Sequence, residues 1–229
     1  MKLLIVFATP AEAAGLCNFL GLRQLPEGEI IHKDYKSIQV SLLCSGVGMI
    51  RTTFHLSRIL VSKRFDLAIN IGVCGSFQRS VMLGEVVNVK SDFFSEFGAE
   101  DGEEWLSAFA MGLEDANRNP YKDGKLIATG LQKVKSVRHL EQVSGITVNR
   151  VHGNEESINR VTSEFHPDIE SMEGAAFLFS CLCENIACLQ IRSVSNYVEK
   201  RNKDNWEMNL AIENLNNYIV EMLEEIPHP

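Results

Sequence analysis

Four polar side chains lie in or beside apolar stretches and are of types that can do chemistry: Glu12, Glu173, Arg192 and Asn196. Glu12 follows the apolar run Leu3–Ala8 and sits in the first turn of an expected helix, where a carboxylate can hold a water at the end of a strand. The same position, three residues after Thr9, is also where a capping box places its acid. Glu173 stands between Met172 and Gly174 within IESMEGAAFLFSCLCENIACLQIRSVSN, residues 169–196. A carboxylate there must be hydrogen-bonded, paired or functional. It can accept two hydroxyl hydrogens from a vicinal diol, and Met172 can pack on a sugar face or in the core. Arg192, inside the strand-like CLQIRSV, needs a carboxylate partner or an anionic ligand. Asn196 offers one acceptor and two donors at the strand's end, or simply makes a turn.

Two glycine turns, Ser45-Gly46-Val47-Gly48 and Gly72-Val73-Cys74-Gly75, follow strand-like runs. Such turns let a ligand approach the backbone, but neither is a GxGxxG or Walker loop, and both also serve as ordinary tight turns. The six histidines, His152 and His166 among them, show no metal-ligand spacing and are read as non-catalytic. No nucleophile elbow or Ser-His-Asp order stands out. The six cysteines (Cys17, Cys44, Cys74, Cys181, Cys183 and Cys188) form no CxxC pair, and the expectation is reduced core thiols in a cytoplasmic protein.

The elements that must position these groups are legible from patterning. Leu3–Ala8, Ile38–Cys44, Asp66–Gly72, Glu85–Lys90 and Cys188–Val194 read as strands, the apolar ones as buried on both faces. Leu126–Thr129 and Thr147–Val151 read as short strands. Helices are expected after Pro10, with Leu16, Phe19 and Leu20 inward; from the SGVG turn through Leu60, with Ile50, Phe54 and Leu60 inward; over Gly174–Glu184; and over Asn205–Glu225. Glu155–Phe165 is a helix or an irregular loop. Ser95–Lys125 is polar and glycine-rich, and reads as an insertion or lid with a short helix around Trp105–Met111. Alternating strands and helices predict a single α/β domain over residues 1–229, a three-layer α/β/α arrangement with a central mixed sheet. Glu173 before a helix and Asn196 after a strand then share one rim, where open α/β folds place ligands.

Composition narrows the partners. The chain has 229 residues, 45% hydrophobic and 23% charged, which suits one soluble globule with a sizeable core. A net charge of −8 argues against a nucleic-acid surface. No apolar run approaches the ~18 residues of a membrane span, and the opening MKLLIVFATPAEA reads as a first strand rather than a leader.

Together, KLLIVFATPAEA with Glu12, SGVG, INIGVCG, IESMEGAA and RSVSN resemble the nucleosidase branch of the purine nucleoside phosphorylase-like superfamily over nearly the whole chain. The resemblance implies a small-molecule purine nucleoside as substrate, no metal or organic cofactor, and a homodimer or higher homo-oligomer. It implies that Glu12 holds the attacking water with help from Arg192, and that Met172 and Glu173 bind the ribose. The base pocket would use Val73, Cys74 and Gly75 with the strand end Ser195-Asn196. The adenine-specific methylthioadenosine/S-adenosylhomocysteine nucleosidases end that strand in Asp, which can protonate N7. Here Asn196 can only hydrogen-bond, and its NH2 suits the N7 and O6 acceptors of a 6-oxopurine. With EFGAEDGE (96–103) and SNYVEKRNKDNW (195–206), this amide resembles the futalosine-hydrolysing family of the menaquinone pathway, which implies hypoxanthine as leaving group. A phosphorylase would want further arginines near SGVG, where Arg51 is the only obvious one, and Glu12 would repel phosphate. A non-catalytic nucleoside-binding module is the alternative of another class. Arg79, Arg118 or a second subunit are candidates for the carboxylate on the 5′ side.

Overall fold

The computed structural model describes residues 1–102 and 104–225; Glu103 of the EFGAEDGE run and positions 226–229 of the expected domain lie outside the described residues. In chain order the elements are β1 (Lys2–Phe7), α1 (Ala14–Phe19), β2 (Ile30–Tyr35), β3 (Ile38–Cys44), α2 (Met49–Ser62), β4 (Leu67–Ser76), β5 (Val86–Phe94), β6 (Gly98–Asp101), β7 (Glu104–Ser107), β8 (Leu126–Ile127), β9 (Glu141–Thr147), α3 (Glu155–Phe165), β10 (Ile169–Ser171), α4 (Gly174–Cys183), β11 (Cys188–Tyr197) and α5 (Met208–Glu225).

The unbroken apolar run of β1 is explained by its neighbours. Leu3, Ile5 and Phe7 pack with Leu16, Leu215 and Ile219 beneath α1 and α5. Leu4 and Val6, on the other face, pack with Leu56, Leu60, Phe177 and Leu178 of α2 and α4. A strand covered on both faces keeps no polar face, and the three-layer α/β/α arrangement follows. The sheet is mixed, in the order β10-β9-β5-β11-β4-β1-β3-β2, with β8 beside β5. Strands β3, β1, β4 and β11 run parallel, so the carboxyl ends of β1, β4 and β11 meet on one side. β10 pairs with β4 as well as β9, which closes β4, β11, β5, β9 and β10 into a ring. The sheet is therefore only half open, and the expected rim is the end of β1, β4 and β11 beside this closed ring.

Several local expectations are corrected. In α2, Thr52, Leu56 and Leu60 face the core, whereas Ile50 is 82% and Phe54 57% exposed. The helix carries two apolar stripes, and periodicity alone does not choose between them. Phe19 is likewise exposed and packs on Tyr35 at the surface. Residues 105–111 form no helix: Trp105 lies in the β6–β7 hairpin and turns follow it. The strand expected over Thr147–Val151 is instead β9, which ends at Thr147. α3 is a helix, capped by the Asn154 side chain.

Asn216 ties the two ends of the chain together. It is buried on α5, its Oδ1 accepts from Leu16 N (2.7 Å), and its Nδ2 donates to the carbonyls of Glu12 (3.0 Å) and Ile212 (2.7 Å). Gly15 permits this approach, since a Cβ there would stand 2.9 Å from Asn216 Cβ. The turn carrying Glu12 is thus held by a residue 204 positions away. Asn216→Leu keeps the bulk and removes the bonds. It is expected to cost about 1–3 kcal/mol, lowering the thermal midpoint by roughly 2–4 °C per kcal/mol. An unchanged melting curve would show that this bridge carries no weight.

Candidate active site

A cavity of about 540 Å³ opens at the ends of β1, β4 and β11. Eight of the nine residues expected from the sequence line it: Glu12, Val73, Cys74, Gly75, Met172, Glu173, Ser195 and Asn196. The ninth, Arg192, lies buried behind them. A larger cavity of about 730 Å³ lies alongside, lined by Glu96, Glu100, Trp105, Arg150 and Arg160, among others, and holds none of the nine. Within one chain, the 95–125 segment contributes to that neighbouring groove and not to the lining of the first.

Glu12 occupies a 3-10 turn, Pro10–Ala13, that begins where β1 ends. Its Oε2 accepts from Ala8 N (3.1 Å), Thr9 N (2.8 Å) and Thr9 Oγ1 (3.2 Å). The capping role and the site role therefore coexist: one oxygen is consumed by the turn. The other, Oε1, takes only a long bond from Val73 N (3.3 Å) and stays available. The Arg192 guanidinium lies across from it, with Nη2 bonded to Asn70 Oδ1, and the two groups form no direct ion pair. The point where a Cβ on Gly72 would stand is 2.8 Å from both Glu12 Oε1 and Arg192 Nη1. Any side chain at position 72 would press on both groups, and the bare glycine leaves the space between them unfilled.

Glu173 takes the N-cap position of α4, yet its side chain does not cap that helix. Its Oε1 accepts from Gly48 N (2.8 Å), the N-cap of α2. Gly48 has φ 91°, a conformation that favours glycine, so the SGVG turn shapes a backbone donor for a carboxylate 125 residues away. Burial pushes the Glu173 carboxyl up; Arg192 and the Gly48 amide oppose that rise. α4 is capped instead by a strand residue. Ala175 N donates to Thr147 Oγ1 (2.7 Å), and Thr147 donates to Asp92 Oδ1 (2.9 Å). Gln190 Nε2 and Phe93 N complete the Asp92 shell at 2.8 Å each. Asp92 is fully buried, and burial pushes its carboxyl up to about 6.

At the far end, Asn196 Oδ1 accepts from Ser195 Oγ (2.9 Å) and Nδ2 donates to Tyr197 O (3.0 Å). The amide is thereby oriented, with one N–H left over on the side of Gly75, where a Cβ would stand 3.2 Å from Nδ2. Burial pushes the nearby Cys74 thiol up to about 12, so it is neutral. Five of the six cysteines are buried, and Cys183 is exposed.

Several lining residues carried no readable signal. Trp206, Met208 and Ile212 come from the start of α5 and the loop before it, and their apolar spacing reads as core. Glu170 and His152, hydrogen-bonded at 2.6 Å, are 18 residues apart and meet only through β10. Of the arginines named for the 5′ carboxylate, Arg79 stands at the cavity's edge, paired with Glu199 and stacked on Tyr197, which line it, whereas Arg118 pairs with Glu114, which does not. Lys200 and Arg201 line the cavity instead. Among the described residues no group of three or more His, Cys, Asp or Glu could hold a metal ion, and no helix is long and apolar enough to cross a membrane.

A sequence profile of the phosphorylase superfamily matches residues 2–224. The chain belongs to the phosphorylase superfamily. Within the superfamily it is similar to the futalosine hydrolase of Thermus thermophilus, 25% identical over 79% of this chain and 80% of that one. It is equally 25% identical, over 82% of this chain and 80% of the other, to the 5′-methylthioadenosine/S-adenosylhomocysteine nucleosidase of Pseudoalteromonas translucida. In three dimensions it matches the futalosine hydrolase of Helicobacter pylori with a TM-score of 0.80 over 98% of each chain, at 15% identity, which is a likeness of fold.

Two outcomes are expected from this geometry. Gly72→Ala needs no unusual backbone angle, so the protein should fold, but its methyl would stand 2.8 Å from two buried side chains and push Glu12 and Arg192 aside, with some loss of melting temperature. Steady-state kinetics should then show turnover lowered by 100-fold or more, on the order of the loss of a positioned catalytic group, and near-normal turnover would refute a role for that space. Asp92 has its folded-state value raised above the unfolded one, so the chain binds an extra proton when folded between about pH 4 and 6. Stability should be greatest near pH 4 on this account and fall through pH 6, by on the order of 2–3 kcal/mol. Asp92→Asn should flatten that segment of a melting-temperature profile, and a profile of unchanged slope would contradict it.

Proposed function

We propose that the chain is a purine nucleosidase that hydrolyses the C1′–N9 bond of futalosine and releases hypoxanthine. The observation that carries this reading is Asn196, an amide whose oxygen is turned to Ser195 and whose NH2, bonded once to Tyr197 O, keeps one N–H for the base. A donor at that position suits N7 and O6 of a 6-oxopurine; adenine would present its own amino donor at position 6. One N–H is free in the unliganded site, so contacting both acceptors requires release from Tyr197 O or sharing of one hydrogen.

The proposed reaction passes through an oxocarbenium-like state, as glycosidic cleavage generally does. Glu173, with its other oxygen free of Gly48, grips the ribose hydroxyls, and Met172 packs on the sugar. Charge developing on the purine is met by the Asn196 N–H. Water held between Glu12 Oε1 and Arg192 attacks C1′, Glu12 takes its proton, and the departing purine anion is protonated from solvent. The electron pair of the broken bond leaves with N9, and the water oxygen remains on C1′. No metal or cofactor enters this scheme. Water is favoured over phosphate because Arg51, the arginine beside SGVG, is exposed and already paired with Glu27, and because Glu12 would repel an anion. We place a second copy of the chain on the exposed α2 stripe of Ile50, Phe54 and Val61, which runs from Val47 at the cavity wall.

Incubation with futalosine, inosine and methylthioadenosine, with and without phosphate, followed by identification of the released base, tests the whole. Hypoxanthine from futalosine, independent of phosphate, is expected; adenine release would support the adenine-specific reading that the Pseudoalteromonas relative represents. Glu12→Gln should lower turnover by about 100-fold or more with substrate affinity retained. Asn196→Asp should shift preference towards adenine nucleosides, and unchanged preference would undercut the reading of Asn196. Light scattering of Ile50→Glu should report a smaller assembly than the unaltered chain.

A further inference from the structure

The Glu170–His152 couple has no part in that mechanism, yet it faces the same cavity. Three adjacent strands set its position. Glu170 of β10 and Asn196 of β11 are both register partners of Gly75 in β4, one on either side. A Cβ on Gly75 would lie 3.2 Å from Asn196 Nδ2 and 3.6 Å from Glu170 Cγ. Two polar side chains thus converge over one bare glycine from strands whose backbones are about two strand spacings, ~10 Å, apart. Glu170 is 4% exposed, a carboxylate that has to be satisfied. It accepts from His152 N at 3.1 Å and is bonded to His152 Nδ1 at 2.6 Å. Donation of Nδ1–H to the carboxylate fixes the ring and its tautomer, and leaves Nε2 as a lone-pair acceptor. Nε2 has no protein partner among the described residues, and the ring lines the cavity beside Gly153 and Val151. Phe77, with ring centroids 6.4 Å apart, supports its other side.

Resting on the reading of Asn196 given above, we propose that His152, oriented by Glu170, accepts the N1–H hydrogen of the departing 6-oxopurine. Read along its edge, such a base presents acceptor, acceptor, donor at N7, O6 and N1. The cavity answers with a donor from Asn196 and an acceptor from His152. Adenine has an acceptor at N1, where two lone pairs would meet. His152 is therefore a base-specificity residue, and Glu170 a positioning residue that acts through it.

Calorimetric titration of the full chain with hypoxanthine and with 1-methylhypoxanthine, which lacks the N1–H, tests this. The unaltered chain should prefer hypoxanthine by about 10- to 100-fold. His152→Phe keeps the ring's bulk and removes the acceptor, so hypoxanthine affinity should fall by a similar factor and the preference should shrink. His152→Gln, which can place an oxygen near the Nε2 position, should restore part of it. Glu170→Ala should weaken the preference with His152 intact. If His152→Phe binds hypoxanthine as the unaltered chain does, or if the unaltered chain does not distinguish the two bases, the inference is overturned while hydrolysis of futalosine stands. A chain that releases no hypoxanthine from any nucleoside and does not bind it overturns the function and this inference together.

Discussion

The site is organised around one buried cation. Arg192 is the largest fully buried side chain among the described residues, on the strand where the parallel group meets the antiparallel β5. A guanidinium in that position is strongly disfavoured unless negative charge and acceptors gather around it. Asn70 bonds one nitrogen, and its field lowers the carboxyls of both Asp92 and Glu173 against the opposing effect of their burial. Glu12 faces it across Gly72 without closing an ion pair. An unclosed pair is less stable than a closed one, and the missing Cβ preserves that arrangement. The acids are also held apart by backbone donors: Glu12 by Ala8 and Thr9, Glu173 by Gly48.

The second organising device is the exchange of caps. Glu173 leaves its own helix uncapped and serves another, and a threonine from β9 takes over with Asp92 behind it. Two helix amino termini, of α2 and α4, consequently converge on one carboxylate, which offsets part of the penalty that burial places on its charge. Displacing β9 would therefore move Glu173 through the helix start.

What could be read in the sequence follows from how local each feature is. Glu12, Glu173 and Asn196 stood out because each breaks or ends an apolar run, and the buried strands β1, β3, β4 and β11 announce themselves by the same runs. The glycine turn SGVG was visible, but its partner was not, because the Gly48–Glu173 bond spans half the chain. Glu170 looks like a polar position in a short strand, and His152 like a loop histidine; only the closure of β10 onto β4 brings them to the cavity. Asn216 looks like one more polar residue on an amphipathic helix. The α2 stripe was misassigned because hydrophobic spacing marks an apolar face, not what covers it.

The Asn216 bridge has a temporal meaning as well as a spatial one. The turn bearing Glu12 leaves the ribosome 204 residues ahead of the side chain that braces it. A nascent chain can pair β1 with β3 and β4 early, but the backbone of the Glu12 turn lacks its long-range brace until α5 docks. A reading frame cut short within α5, ahead of Asn216, would leave a chain with much of its sheet and no long-range brace on the Glu12 turn.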